Sequence, residues 1–270
     1  VTVHGTGAVD EGRVISIIEV TETPAAPALQ RILDAHGGLR YWQTLSAVEV
    51  ELSAWGFLFG AKHIRPLRHA VVVVDTDAPR AVIKDFPEPG CTAALLGNHR
   101  VEIRDESGAV LRYRDNPRRA FRHPRRLLYW DELDFTYFCG YAMWCYLTVP
   151  FAFLSNGVRV SGCEQDADGA VTLTVDFADY LPAHSPTQKF SFDPTGRLVR
   201  HDYTAEVVGR WARAAHLCDD YRRFGELWMP TRRRVYPRGP FGRPLPGPTL
   251  VAIDIHDATP VPVISPTGGR

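Results

Sequence analysis

The chain has 270 residues, with 31 Lys plus Arg against 31 Asp plus Glu, so its formal net charge is zero. That balance excludes the long-range positive field of a general nucleic-acid binder. Five cysteines (Cys91, Cys139, Cys145, Cys163, Cys218) are widely spaced, without a CxxC pair or a Cys/His set at zinc intervals; neither a disulfide framework, a structural metal nor a cofactor is expected.

Residues 13–20 read as an N-terminal strand and residues 21–27 as a Pro/Ala connection, so 1–24 forms a strand and linker ahead of the main domain. The first twenty residues lack the basic and apolar regions of an export signal, which favours a cytoplasmic location, although a processed signal would leave no trace. A helix follows, because Leu29, Ile32, Leu33 and His36 recur at three- and four-residue spacing and Gly37-Gly38 supplies its C-terminus. Leu39 to Leu45 makes a second short turn carrying Tyr41 and Trp42.

From Ser46 the period changes to alternation, with Val48, Val50 and Leu52 on one face and Glu49, Glu51 and Ser53 on the other. Further strands are predicted over residues 69–75, 80–86, 99–104, 110–114, 171–177, 189–193, 198–207, 214–223, 228–236 and 250–256. Asp105 to Gly108, Asp166 to Gly169 and Asp193 to Gly196 have hairpin-turn chemistry, so meanders are the expected connection. The absence of alternating β and α units argues against a doubly wound or α/β-barrel enzyme.

An insert over 118–156 interrupts the strands. It opens with a basic stretch (Arg118, Arg119, Arg122, His123, Arg125, Arg126), then Tyr129-Trp130, then a helix from Asp131 to Tyr146 with Phe135, Phe138, Cys139, Ala142 and Tyr146 on one stripe. Phe135 to Val158 carries no charge, but Gly140, Pro150 and the Ser155-Asn156-Gly157 turn argue against a transmembrane span. The expected fold is mainly β (α+β): one curved antiparallel half-barrel over 25–257, with an N-terminal helix, a central helical plug, and a C-terminal tail at 258–270.

The order of elements is that of a known group. The helix ending in His36-Gly37-Gly38, the long meander, the central plug, and the late segments Asp193 to Tyr203 (Asp-Pro-Thr-Gly-Arg-Leu-Val-Arg-His-Asp-Tyr) and Tyr221 to Thr231 together resemble the lipoprotein-carrier (LolA-like) superfamily. The resemblance covers most of 25–257. It implies a half-open β-barrel around an apolar pocket that holds acyl chains or other apolar ligands.

Candidate chemistry sits on the strand at 198–207. Alternation places Val199, His201, Tyr203, Ala205 and Val207 on one face and Asp202 on the other. His201 and Tyr203 suit a general base and a hydrogen-bond donor, with His216 on the neighbouring strand as a third candidate. His184, in the loop Leu181 to Pro186, is placed to reach the sheet rim. The three histidines are not at metal-ligand spacing, so no metal site is assigned.

Tyr137, Tyr141, Trp144, Tyr146 and Phe151 are the expected aromatic wall, each able to bury about 150–250 Å². A filled core and a ligand cavity both fit that composition. Arg232, Arg233 and Arg234 follow Pro230; Arg232 is taken as an anion clamp at the pocket mouth, against the alternative of a solvated face paired with Asp219 and Asp220.

The expected function is binding of an apolar small molecule or lipid, without nucleic acid. The alternative is a cofactor-independent cyclase, isomerase or hydro-lyase acting on a largely apolar, polyketide-like metabolite by His/Tyr acid–base chemistry. A structural or interaction role would leave the interior solid. GxSxG, Walker, GxGxxG and HExxH motifs are absent.

Overall fold

The computed structural model describes residues 26–264; the strand expected at 13–20 lies outside the described residues. Among the described residues thirteen antiparallel strands form a single open sheet in the order β6-β5-β4-β3-β2-β1-β13-β12-β11-β10-β9-β8-β7. The first half is a meander of β1 (Leu45–Trp55), β2 (Leu67–Asp75), β3 (Arg80–Lys84), β4 (Thr92–Leu96), β5 (Arg100–Arg104) and β6 (Val110–Asp115). The second comprises β7 (Val158–Gln165), β8 (Val171–Phe177), β9 (Thr187–Phe192), β10 (Leu198–Thr204), β11 (Arg213–Phe224), β12 (Leu227–Pro237) and β13 (Val251–Pro262). Pairing of β1 with β13 joins the two meanders. That pairing includes Leu45 with Pro262, so 258–262, expected as tail, belongs to the sheet.

Three hairpins turn where the sequence places them. In the last, Asp193 Oδ1 accepts from the amides of Thr195 and Arg197, and Gly196 takes φ +92°, a conformation that side-chain-bearing residues resist.

The N-terminal helix α1 (Ala26–Ala35) buries Ala28, Leu29, Ile32 and Leu33. The short helices α2 (Leu39–Trp42) and α3 (Phe57–Ala61) flank β1, and Trp42 stacks on Phe151 with centroids 4.4 Å apart.

The link from edge strand β6 to edge strand β7 carries three 3-10 turns, two before and one after the helix α4 (Glu132–Thr148). Asp131 caps α4: its carboxylate accepts from the Asp134 amide at 2.9 Å, and Asp134 accepts in return from the Asp131 amide at 3.1 Å. Arg114 and Arg126 neutralise this acidic pair.

The expected single apolar stripe on α4 is corrected here. Every residue from Leu133 to Thr148 is buried, because β2 to β5 pack one flank and aromatic groups of the second half of the sheet meet the other. A helix enclosed on all sides is apolar all round. Its Gly140 allows a close approach to β4, where an added Cβ would stand 2.7 Å from Leu95 Cβ. The result is a mainly-β half-barrel holding a helix. Among the described residues no helix is long and apolar enough to cross a membrane.

Candidate functional site

The second half of the sheet turns a row of polar aromatics inward. Alternation on β10 buries His201 and Tyr203, while a register irregularity between Leu198 and Arg200 turns Leu198 inward and leaves Val199, expected on the inward face, exposed; on β11 alternation buries Ala214, His216 and Cys218. His201 and His216 are register partners across these two strands, with ring centroids 5.9 Å apart. The loop between β8 and β9 carries His184 into the same space, where it stacks on Tyr203 at 3.8 Å. From α4, Tyr141 and Tyr146 complete the group.

Hydrogen bonds run through it as a chain. The Tyr141 hydroxyl lies 3.2 Å from His184 Nδ1, His184 Nε2 lies 2.9 Å from the Tyr146 hydroxyl, and the Tyr146 and Tyr203 hydroxyls are 2.9 Å apart. A neutral imidazole donates from one nitrogen and accepts at the other, so His184 joins two tyrosines in one line. His201 stands beside this chain. Gln188 donates to the Ser185 carbonyl at 3.0 Å, which turns its own carbonyl oxygen to accept from His201 Nε2 at 2.6 Å. That arrangement assigns the proton to Nε2 and leaves Nδ1 as the lone-pair nitrogen.

Burial holds every member neutral. It pushes His184, His201 and His216 well below the ordinary histidine range, helped by Arg118 at His184, by His216 at His201 and by Arg233 at His216. The same loss of hydration raises the Tyr141, Tyr146 and Tyr203 phenols.

Three side chains here keep unpartnered polar atoms. His216 is fully buried and neither ring nitrogen has a hydrogen-bond partner among the described residues. Arg233, 2% exposed, donates to the Tyr146 carbonyl at 2.8 Å and to Cys218 Sγ at 3.5 Å, but its Nε is unpaired and no carboxylate answers its charge among the described residues. Trp144 is buried with its indole N–H likewise unpartnered.

The interior is closely packed. A cavity of about 30 Å³ lies against Leu67, Phe135, Phe138, Ala142 and Tyr146, and one of about 10 Å³ beside His36, Phe151 and Arg233. The large openings are at the rim. One cleft of about 480 Å³ is lined by Ile64, Leu67, Val71, Phe86, Tyr129 and Trp130 among others. Another, of about 590 Å³, is basic and holds Arg118.

Of the residues singled out from the sequence, His184, His201, Tyr203, His216, Tyr141 and Tyr146 come together in this buried group. Tyr137 points to the basic cleft and donates to Asn98 at 2.7 Å, while Phe151 lies apart against Trp42. Arg232 requires correction: it is on the outer face, exposed and ion-paired with Asp219. Its neighbour Arg233 is the arginine that faces inward. The alternation of Thr231, Arg233 and Val235 on one side of β12 carried that signal, as did Gln188 with Phe190 on β9. Among the described residues no group of three or more His, Cys, Asp or Glu is arranged to hold a metal ion.

No protein-family model matches the chain, and no curated protein matches it. Solved structures do. The chain is similar in fold to a LolA superfamily protein from Nitrosomonas europaea, with TM-score 0.45 and 12% identity over 86% of this chain and 92% of that one. It is also similar to a DUF1329 family protein from Desulfovibrio piger, with TM-score 0.46 and 13% identity over 92% of this chain and 95% of that one.

Proposed function

We propose that the protein binds a largely apolar small molecule or lipid inside the half-barrel, with the ligand's one polar end at Arg233 and His216. The observation that carries this reading is the pair of fully buried, incompletely bonded polar side chains in an aromatic interior. A buried polar group without a partner costs about 1–3 kcal/mol. A ligand oxygen placed between Arg233 and His216 would remove that cost. Entry is by the cleft beside Phe86 and Trp130, which borders Leu67, and Leu67 also lines the small inner cavity that reaches Tyr146. Leu67 and Phe135 must turn aside to admit an acyl or ring system.

Binding is favoured over His/Tyr catalysis on electrostatic grounds. A general acid or base works best with a pKa near the working pH. Burial instead drives the three imidazoles down and the three phenols up, away from neutrality. The group is thereby a set of fixed neutral donors and acceptors.

The test is native mass spectrometry of the purified protein, followed by titration of the ligand-stripped chain with a medium-chain fatty acid and the alcohol of equal length. The acid is expected to bind at least about tenfold tighter, a margin of about 1.4 kcal/mol, and Arg233→Met to erase the difference. Failure of both probes to bind, together with no co-purified ligand, would remove this reading.

A further inference from the structure

The basic stretch noted in the sequence does not act as one unit. Arg126 is half-buried and ion-paired with Asp131 and Asp134, and Arg125 stacks over Tyr129 at 4.8 Å. Arg118 is held from three directions: it donates to the Ala183 carbonyl at 2.7 Å, to Glu206 at 2.7 Å and to the Tyr137 hydroxyl at 3.5 Å. Arg119 and Arg122 are different. Among the described residues their guanidinium groups have no hydrogen bond, ion pair or ring contact, and the same is true of Arg210, which the chain brings from after β10.

All four arginines line the cleft of about 590 Å³, and Glu206 is the one carboxylate among its lining residues. The cleft therefore carries a surplus of three positive charges in a chain of zero net charge. Three guanidinium groups without a partner among the described residues thus line one concavity. A concave, low-dielectric wall focuses such a field and draws counter-ions. The planar fork of arginine matches the oxygens of a phosphate. The cleft is far larger than a phosphate alone, and Phe121 and Val207 give it an apolar wall.

We infer that this cleft binds the phosphate group of a larger phosphorylated molecule, with Arg119, Arg122 and Arg210 as the recognising cations and Arg118 as the fixed base of the site. The inference is independent of the interior ligand, since none of these residues belongs to the Arg233 and His216 group.

Calorimetric titration of the full chain with inorganic phosphate at low salt tests it. Phosphate is expected to bind, more weakly as salt screens the cleft, and the triple variant R119Q/R122Q/R210Q to lose at least about tenfold in affinity. The three side chains are exposed and unpaired, so far-UV dichroism and the melting temperature should stay at wild-type values. Glu206→Gln supplies a second, opposite readout: removing the one lining carboxylate should tighten phosphate binding several-fold. Co-sedimentation with vesicles of phosphatidylcholine, alone or mixed with phosphatidate, separates the sources. Capture by phosphatidate vesicles, lost in the triple variant, makes the ligand a lipid headgroup; phosphate binding without vesicle capture makes it a soluble phosphorylated molecule. Binding of neither probe, or equal binding by the triple variant, overturns the inference.

Discussion

The Arg233 guanidinium sits 5.3 Å from the centre of the Tyr146 ring and donates to the Tyr146 carbonyl at 2.8 Å. That carbonyl is among the last four of α4, which have no partner within a helix. Arg233 therefore terminates α4 and places a positive charge at the negative end of its dipole. These contacts hold it without a carboxylate.

The stability of Arg233→Met follows from two opposed effects. Losing the helix-end hydrogen bond costs about 1 kcal/mol, while removing a buried charge without a counter-charge returns desolvation energy, and exchange of buried ionic groups for packed apolar ones is often neutral or stabilising by about 1–4 kcal/mol. The variant should unfold in urea at or above the wild-type midpoint. A loss of more than about 2 kcal/mol would mean that Arg233 is a structural keystone. In that case the ligand-binding reading would lose its main support.

Acid should destabilise the fold. His184, His201 and His216 stay neutral in the folded chain well below the ordinary range, and burial holds His36 at about 4. As pH falls through about 6.5 the unfolded chain takes up protons that the folded chain refuses, so stability is full above that value and drops below it. Each histidine contributes about 1.4 kcal/mol per pH unit once its unfolded form is protonated. Urea midpoints should fall steeply between pH 6.5 and 5. His216→Phe should reduce that slope by one histidine's share without lowering stability at neutral pH, since it deletes two unbonded nitrogens. A flat profile would contradict the neutral, enclosed cluster.

The parts of this molecule that follow a local period were legible in the sequence. Val48, Val50 and Leu52 announced β1, and the Asp and Gly residues of three turns marked hairpins. Two strands were missed for opposite reasons. In β4, Ala93, Ala94 and Leu95 are all buried, so the run has no alternation to detect, whereas β7 is an exposed edge. The enclosure of α4 depends on how far the sheet wraps around it, which no local pattern encodes. The same holds for the site. His201 and Tyr203 are readable as inward-facing, whereas in the run Arg232-Arg233-Arg234 three equal charges hide the alternation, and only the period shared with Thr231 and Val235 marks Arg233 as the inward one. His184 reaches the cluster along a loop whose path has no period at all.

Tyr146 is the centre of the hydrogen-bonded chain, so Tyr146→Phe should break it at two points. The change removes the hydroxyl that meets both His184 Nε2 and the Tyr203 hydroxyl, and leaves those buried groups short of a partner. The expected cost is about 1–3 kcal/mol. Tyr203→Phe keeps the Tyr146 to His184 contact and should cost less. Chemical denaturation of the two variants side by side checks the order, and a larger loss for Tyr203→Phe would show that the chain does not centre on Tyr146.

Gly140→Ala isolates the contact between α4 and the sheet. In an exposed helix the replacement would stabilise by about 1 kcal/mol, because alanine loses less backbone freedom on folding. Here the new methyl would stand 2.7 Å from Leu95 Cβ, closer than carbon atoms approach, and Leu95 is itself completely buried on β4. Neither partner has space to yield, since the flanking residues Cys139 and Tyr141 are also enclosed. The helix must therefore shift away from β4, at a cost of about 1–3 kcal/mol from overpacking. That shift moves Tyr141 and Tyr146 relative to His184, so the variant should also bind the fatty-acid probe more weakly. Leu95→Gly in the same chain removes the Cβ that the new methyl meets and should recover part of the binding loss. A Gly140→Ala protein as stable as wild type would mean that α4 is free to move over the sheet, and that the interior opens more easily than its packing indicates.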